Sequence, residues 1–291
     1  MEEAGFPEDM IPDEVEIDGH RYHPDGTPVP EAEPIAPEDM PVIEVVDARI
    51  PVSSRNPIIH ELTGSKTRVI VLNKSDLSDE KANELWAEKM RAEGSRVIIM
   101  NCMSGEGVKR LFKMLEEEQA RKNSASQRQK TFRMMIVGVP NVGKSSLINR
   151  MMGKKSTQVG DRPGVTKGKQ WLTLKNGMQL LDTPGILWPK FEDQKVGINL
   201  AFCGSIKDEI LDMETLALEL IKVLREDYPE LLMERYKLDE IKDTALEDME
   251  AIAEKRGFLM PGKRIDYTRT AKTVLDEFRG GKIGRITLER P

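Results

Sequence analysis

Cysteine is almost missing from this chain of 291 residues, which holds two, Cys102 and Cys203. Two thiols cannot make a disulfide framework or a four-thiolate zinc site, and such sparse usage suits a reducing compartment. Neither lies in a thiol motif, so both read as inert. His20 and His23 stand at H-x-x-H spacing with no further ligands beside them, which reads as a solvated loop rather than a metal site. Apolar runs are short. None approaches the ~18–20 residues a membrane helix needs, which excludes an integral membrane protein with helical spans. The N-terminus has no apolar segment and is acidic, excluding a secretory signal and an Arg-rich transit peptide. A soluble, cytoplasmic, two-domain protein is expected at ~100–200 residues per domain.

Charge is plentiful and unevenly placed. The net charge is −6, yet residues 1–41 carry 13 Asp/Glu against Arg21 alone, together with 8 of the 17 prolines. Such a stretch buries little apolar surface and is expected to be disordered. The rest of the chain holds 43 basic and 37 acidic residues and is mildly basic.

From Val42 the texture changes to short β-branched runs, each ending at a polar cluster. Residues 42–46 lead to Asp47, 69–72 to Asn73, 97–100 to Asn101 and 134–137 to Gly138. Runs of this kind read as parallel strands buried on both faces. With helical stretches near 80–92 and 106–118 between them, they predict an α/β domain whose ligands bind at the strands' carboxyl ends. Residues 171–175 and 178–182 flank Asn176-Gly177, a hairpin signal. Residues 119–133 are basic and polar, and read as a flexible connector within this domain. Past about residue 186 the pattern becomes helical. Met213, Leu216, Leu220 and Leu224 recur at helix spacing, as do Leu246, Met249 and Ile252 before a capping Gly257. Tyr267, Ala271, Val274, Leu275 and Phe278 predict another amphipathic helix. The expected organisation is an acidic segment at 1–41, a nucleotide-binding α/β domain at 42–186 and an all-helical domain at 187–291.

Gly138-Val139-Pro140-Asn141-Val142-Gly143-Lys144-Ser145 fits G-x-x-x-x-G-K-[ST] between a strand and an apolar helix. Backbone N–H groups of Pro140's successors Asn141, Val142, Gly143 and of Ser145 and Ser146 can wrap a phosphate at a helix N-terminus. Lys144 reaches the β and γ oxygens, and Ser145 is placed for Mg²⁺. Asp182 in Asp182-Thr183-Pro184-Gly185 can hold Mg²⁺, and the Gly185 N–H can sense a γ-phosphate. Thr166, 21 residues after Ser145, suits a switch threonine that orders on Mg²⁺ and the γ-phosphate. Lys144, Thr166 and Gly185 are the transition-state and switch candidates; no catalytic group is identified. Asn73-Lys74-Ser75-Asp76 reads as the base reader. The Asp76 carboxylate accepts from guanine N1–H and N2–H₂, Asn73 ties this loop to the phosphate loop, and the Lys74 stem packs over the base. Asn101, Cys102 and Met103 end the next strand, where the Cys102 N–H can meet guanine O6. The nucleotide implied is GTP or GDP.

The order is unusual: the base-reading motifs precede the phosphate-binding ones, which describes a circular permutation, with 119–133 as the joint. Ile186 follows Gly185, where many GTPases carry a glutamine that orients water, so intrinsic hydrolysis is expected to be slow.

On these residues the chain resembles the circularly permuted GTPases of bacterial ribosome assembly, and within them the ribosome biogenesis GTPase A family. The resemblance covers roughly 42–291. It includes Asp47-Ala48-Arg49-Ile50-Pro51, Ser53-Ser54-Arg55-Asn56-Pro57, all the nucleotide motifs and the tail from Lys255-Arg256-Gly257-Phe258 to Arg285. It implies GTP hydrolysis stimulated by potassium and by ribosomal subunits, Mg²⁺, and a helical RNA-binding C-terminal domain acting on late precursors of the large subunit. Asn141 matches an asparagine associated with potassium. A monomer and no membrane partner are expected. The first 41 residues depart from the family opening: Asp9 stands where the family has a histidine proposed for catalysis, and that role does not carry over. Residues 255–291 hold ten Lys/Arg against four acids. With the resemblance, Lys255, Arg256, Lys263, Arg264, Lys282 and Arg285 become the RNA-contact candidates, on a tail whose removal is expected to spare GTP binding.

Overall fold

Six short segments, four of them mostly β-branched or aliphatic, assemble into one sheet in the computed structural model. The structure describes residues 15–17, 20–22, 40–63, 66–124, 131–153, 170–185, 187 and 193–291. Thr166, Ile186, Trp188, and the connector residues 125–130 lie outside the described residues, as does most of the acidic N-terminal segment with Asp9 and His23. Within that segment, β1 (Val15–Ile17) and β2 (His20–Tyr22) pair as an antiparallel hairpin inside a unit of their own, Met1–Asp39, in a stretch expected to lack structure.

The main unit, Met40–Pro291, contains β3 (Val42–Asp47), β4 (Arg68–Asn73), β5 (Arg96–Ile99), β6 (Arg133–Val137), β7 (Gln170–Thr173) and β8 (Gln179–Asp182). Their spatial order is β5-β4-β3-β6-β8-β7, parallel throughout except for the edge strand β7. Alternation along each strand divides the apolar side chains between two layers. Ile43, Val45, Val69, Val71 and Ile98 enter a large core. Val46, Ile70, Leu72 and Val97 face the other way, onto Trp86, Ala87 and Met90 of α2 (Glu80–Ala92). That helix occupies the predicted 80–92 and is opened by Asp79, which accepts from the Ala82 N–H at 3.0 Å.

The remaining helices of this half are α1 (Pro57–Thr63), α3 (Val108–Ser124) and α4 (Lys144–Met152). α3 corrects the expected connector. Gln119, Ala120, Arg121 and Lys122 are good helix formers, and the two cations sit in the last turn, where they complement the helix dipole. The Asn176-Gly177 hairpin forms as read, with Gly177 at φ +82° and Leu174 and Met178 paired across it. Trp171 is 42% exposed on the edge strand under the Arg133 guanidinium.

The C-terminal half carries α5 (Gln194–Phe202), α6 (Met213–Asp227), α7 (Pro229–Tyr236), α8 (Ala245–Arg256) and α9 (Tyr267–Arg279). Met249 and Ile252 are buried as the spacing predicts, whereas Leu246 is exposed. Gly257 caps α8 at φ +68°. The expectation of helices alone needs one addition, the small hairpin of β9 (Leu259–Met260) and β10 (Arg264–Ile265). One apolar core runs unbroken from Ile136 in the sheet to Leu220 in α6. After α9 the chain turns back, and Leu288 donates to the carbonyl of Arg49 beside β3 at 2.8 Å.

Candidate nucleotide-binding site

The parallel register sets Asp47 beside Asn73 and Ile136 beside Asp182, so the polar strand ends line one edge of the sheet. The loop after β6 begins with Gly138, where a Cβ would lie 2.4 Å from the Val45 carbonyl oxygen. Gly143 stands in the left-handed region at φ +99° immediately before α4, and a Cβ there would meet the Asn73 amide at 2.2 Å. Both glycines are therefore required by close backbone approach.

Asn73 joins the base and phosphate loops, as its motif suggests. Its Nδ2 donates to the Val142 carbonyl at 2.7 Å, and its Oδ1 accepts from the Cys102 N–H at 3.0 Å. The second bond engages the Cys102 N–H, the group read as meeting guanine O6. Met103 and Ser104 N–H groups bond the Asn101 Oδ1 at 2.8 and 3.1 Å. Arg150 of α4 donates to the Cys102 and Met103 carbonyls, closing the turn from the helix side. Burial pushes the thiols of Cys102 and Cys203 up to about 12, which keeps both protonated and unreactive.

Lys144 is buried, and its Nζ donates to the carbonyls of Gly138 and Val139, each at 3.0 Å. Burial lowers its pKa to about 8, against the opposing pull of the Asp182 carboxylate. Asp182 is fully buried, and Thr183 anchors the following turn by donating to the Ile136 carbonyl at 2.7 Å. Gly185 closes the cradle: a Cβ there would lie 2.8 Å from Pro140 Cα and 2.9 Å from Lys144 Nζ. Thus Lys144, Asp182 and Gly185 come together, while Thr166 lies outside the described residues. Ser145 and Ser146 open α4 directly behind Lys144. Ser145 and Asp182 supply a hydroxyl and a carboxylate, hard oxygen donors of the kind Mg²⁺ takes. Among the described residues there is no cluster of three His, Cys, Asp or Glu side chains suited to a metal.

The C-terminal half braces the phosphate loop. Asn141, at φ +61°, donates its Nδ2 to the Cys203 carbonyl at 3.0 Å, and Ser205 Oγ donates to the Pro140 carbonyl at 2.8 Å. Arg279 completes this corner by donating to the Ala201 and Phe202 carbonyls and pairing with Asp208.

Sequence reading gave no role to the Asp47–Arg49 pair under the base loop. Asp47 binds Arg49 through two bonds, Nε–Oδ1 at 3.0 Å and Nη2–Oδ2 at 2.8 Å, and holds Lys74 Nζ at 2.9 Å. Although burial pulls the other way, the two cations keep the Asp47 carboxyl far below the usual carboxylate range. Arg49 is fully buried, lies over the Phe278 ring and donates to the Phe278 and Arg279 carbonyls at 3.4 Å. A charged pair two residues apart at the end of an apolar strand is the signal that could have found it. Glu289 has no such local signal, yet it bonds Ser53, the Val52 N–H and Asn199.

Of the RNA-contact candidates, Lys255 pairs with Asp239 at 3.0 Å and Arg256 with Glu277 at 3.2 Å. Arg285 faces the base loop. Lys263, Arg264 and Lys282 are exposed.

Two family models match the chain: one described as 50S ribosome-binding GTPase over residues 133–253, another described as RsgA GTPase over 55–192. Ribosome biogenesis GTPase A of Bacillus cereus is 47% identical over 254 residues, covering 86% of each chain. Mitochondrial ribosome-associated GTPase 1 of Bos taurus is 33% identical, covering 86% of this chain and 81% of the relative. A GDP-bound structure of Thermotoga maritima YlqF is similar at a TM-score of 0.66 and 31% identity, covering 86% of this chain and 94% of that one.

Proposed function

Because this chain belongs to the ribosome biogenesis GTPase A family and is a GTP hydrolase of that family, we propose that it acts in late assembly of the large ribosomal subunit. In this reading it binds the precursor and its ribosomal RNA in the GTP state and leaves after hydrolysis. The observation that carries it is the convergence of the phosphate loop, the Asn73–Asp76 loop and the Asp182–Gly185 turn on one sheet edge, in permuted order, inside a chain related to ribosome-assembly GTPases.

The residues divide the work by position. Loop N–H groups from Asn141 to Ser146 and the Lys144 ammonium hold the phosphates. To do so Lys144 exchanges its Gly138 and Val139 carbonyls for phosphate oxygens. Asp76 reads the guanine edge, with Asn73 fixing the distance between base and phosphate subsites. Ser145, Asp182 and Thr166 would hold Mg²⁺, which would neutralise phosphate charge. Asn141 offers its Oδ1 to potassium. Gly185 presents its N–H to the γ-phosphate, and its lack of a side chain leaves room beside Lys144.

For RNA, the β9–β10 hairpin is the favoured contact. Lys263 and Arg264 project there next to exposed Leu259 and Met260, each 46% exposed. The working division of the chain remains 1–41, 42–186 and 187–291, with the second and third parts acting together, in the cytoplasm and as a monomer. A second reading, a GTP-dependent binding switch with little turnover of its own, is favoured by Ile186, whose aliphatic side chain cannot orient water. Cosedimentation tests the partner: the chain is expected to pellet with purified large subunits in a non-hydrolysable GTP analogue and to stay in the supernatant in GDP. Binding that ignores the nucleotide would refute the GTP-state part of the proposal.

A further inference from the structure

The C-terminal tail, expected to contact RNA, lies against the back of the base-reading loop. Gly281 sits at φ +68°, and a Cβ there would lie 2.6 Å from Leu77 Cδ2, so the tail touches the loop closely. Arg285 then bonds two of its carbonyls, Nη2 to Ser75 O at 2.9 Å and Nε to Ser78 O at 2.8 Å, while Nη1 reaches Glu80 at 3.3 Å. The Ile286 N–H donates to the Leu77 carbonyl at 2.9 Å, and the Asp79 N–H donates to Thr287 Oγ1 at 3.0 Å. Asp76 is therefore flanked on both sides by peptide groups pinned from the tail.

The tail itself is anchored independently. Ile283, Ile286 and Leu288 are buried, and the Tyr228 hydroxyl donates to the Thr287 carbonyl and accepts its N–H. Removing the Arg285 guanidinium would thus take away its bonds to the Ser75 and Ser78 carbonyls without releasing the tail.

We propose that Arg285 is a positioning residue for guanine recognition and that the strap 281–287 is a working part of the nucleotide site. The inference rests on the reading of Asp76 as the guanine acceptor. A carboxylate that must meet two donors of one base edge at once tolerates displacement of only about 0.5 Å. Within the loop, the Leu77 N–H bonds the Lys74 carbonyl at 2.9 Å, and from the sheet side the Ser75 N–H reaches Met100 O at 3.2 Å, while Asn83 adds a bond to Ser75 O at 3.4 Å. The strap adds charge-assisted bonds, and the planar guanidinium fork meets the Ser75 and Ser78 carbonyls from two separate nitrogens, where a lysine offers a single one. The same geometry links the tail to nucleotide release: whatever pulls on 281–287 loosens the base loop.

The test measures the dissociation constants of GDP and of inosine diphosphate, which lacks the 2-amino donor, for the full chain and for Arg285→Ala and Arg285→Lys. Arg285→Ala is expected to weaken GDP about ten-fold, the equivalent of about 1.4 kcal/mol, and inosine diphosphate less, so that the preference for guanine narrows. Arg285→Lys should fall between. An unchanged preference, or an equal loss for both nucleotides, overturns the proposal, because a merely structural role weakens both alike. Should Arg285→Ala fail to fold, Arg285→Lys, which keeps the charge and the stem, decides by the same comparison. A wild-type chain with no preference between the two nucleotides would instead overturn the guanine reading itself.

Discussion

Lys144 carries the pH dependence of the site. In the nucleotide-free chain burial brings its pKa down to about 8, and only the ammonium form binds phosphate. Phosphate oxygens raise that pKa on binding, so affinity for GDP should be level below about pH 8 and fall as pH rises through it, by up to about ten-fold per unit. Calorimetry at pH 8.5 in buffers of different ionisation enthalpy should accordingly detect proton uptake on GDP binding. Lys144→Ala should bind far more weakly and take up none, and a proton-neutral wild type would refute the assignment. Lys144, Gly143, Asn73 and Asp182 were legible in the sequence because each belongs to a short motif whose spacing is fixed by the phosphate or base it meets. Glu289 was not, since its Ser53 partner lies 236 residues away, and Arg49, although its pairing with Asp47 is local, gave no sign of its bond to Phe278, 229 residues away. The bond from the Cys102 N–H to Asn73 was hidden for a related reason: the two become neighbours only when β4 and β5 pair.

At the scale of elements, the base loop sits on the Asp47–Arg49–Lys74 group, which also grips the end of α9. Arg49→Ala would leave Asp47 buried with Lys74 as its remaining cation and empty the space over Phe278. A broken buried ion pair costs about 3–5 kcal/mol. Urea unfolding should show a loss of that size, whereas an exposed pair such as Lys242–Glu240 is screened by water and contributes little. A loss under about 1 kcal/mol for Arg49→Ala would mean that the group does not hold α9 to the sheet. The strands and α2 were readable almost residue by residue, because alternation between two buried layers leaves a plain signature. α3 ran past its predicted end because basic residues read as a linker also complement a helix C-terminus. The β9–β10 hairpin has two residues per strand, too few for any period to register.

For the whole molecule, permutation places the phosphate loop in the middle of the chain and lets the C-terminal half grip it through Cys203 and Ser205, in a corner that Arg279 braces. The tail returns to the base loop as well, so the two halves share one nucleotide site. The bonds from 281–287 to the base loop run against the expectation that residues 255–291 can be removed without effect on GTP. Deleting 281–291 should weaken guanine nucleotide binding and lower the unfolding temperature together, measurable on one preparation by nucleotide titration and thermal melting; intact GDP affinity in the deletion would show that the halves are functionally separate. Family and permuted order were legible because the motifs survive intact, whereas the strap was not, being built from ordinary residues joined by folding. Among the described residues no helix is long and apolar enough to cross a membrane, and the partner proposed is the large subunit. The most direct test is therefore GTP turnover by the full chain in potassium buffer, with and without purified large ribosomal subunits. The account predicts slow turnover alone and strong stimulation by the subunit; a rate unmoved by saturating subunits, with no GTP-dependent binding to them, would contradict it.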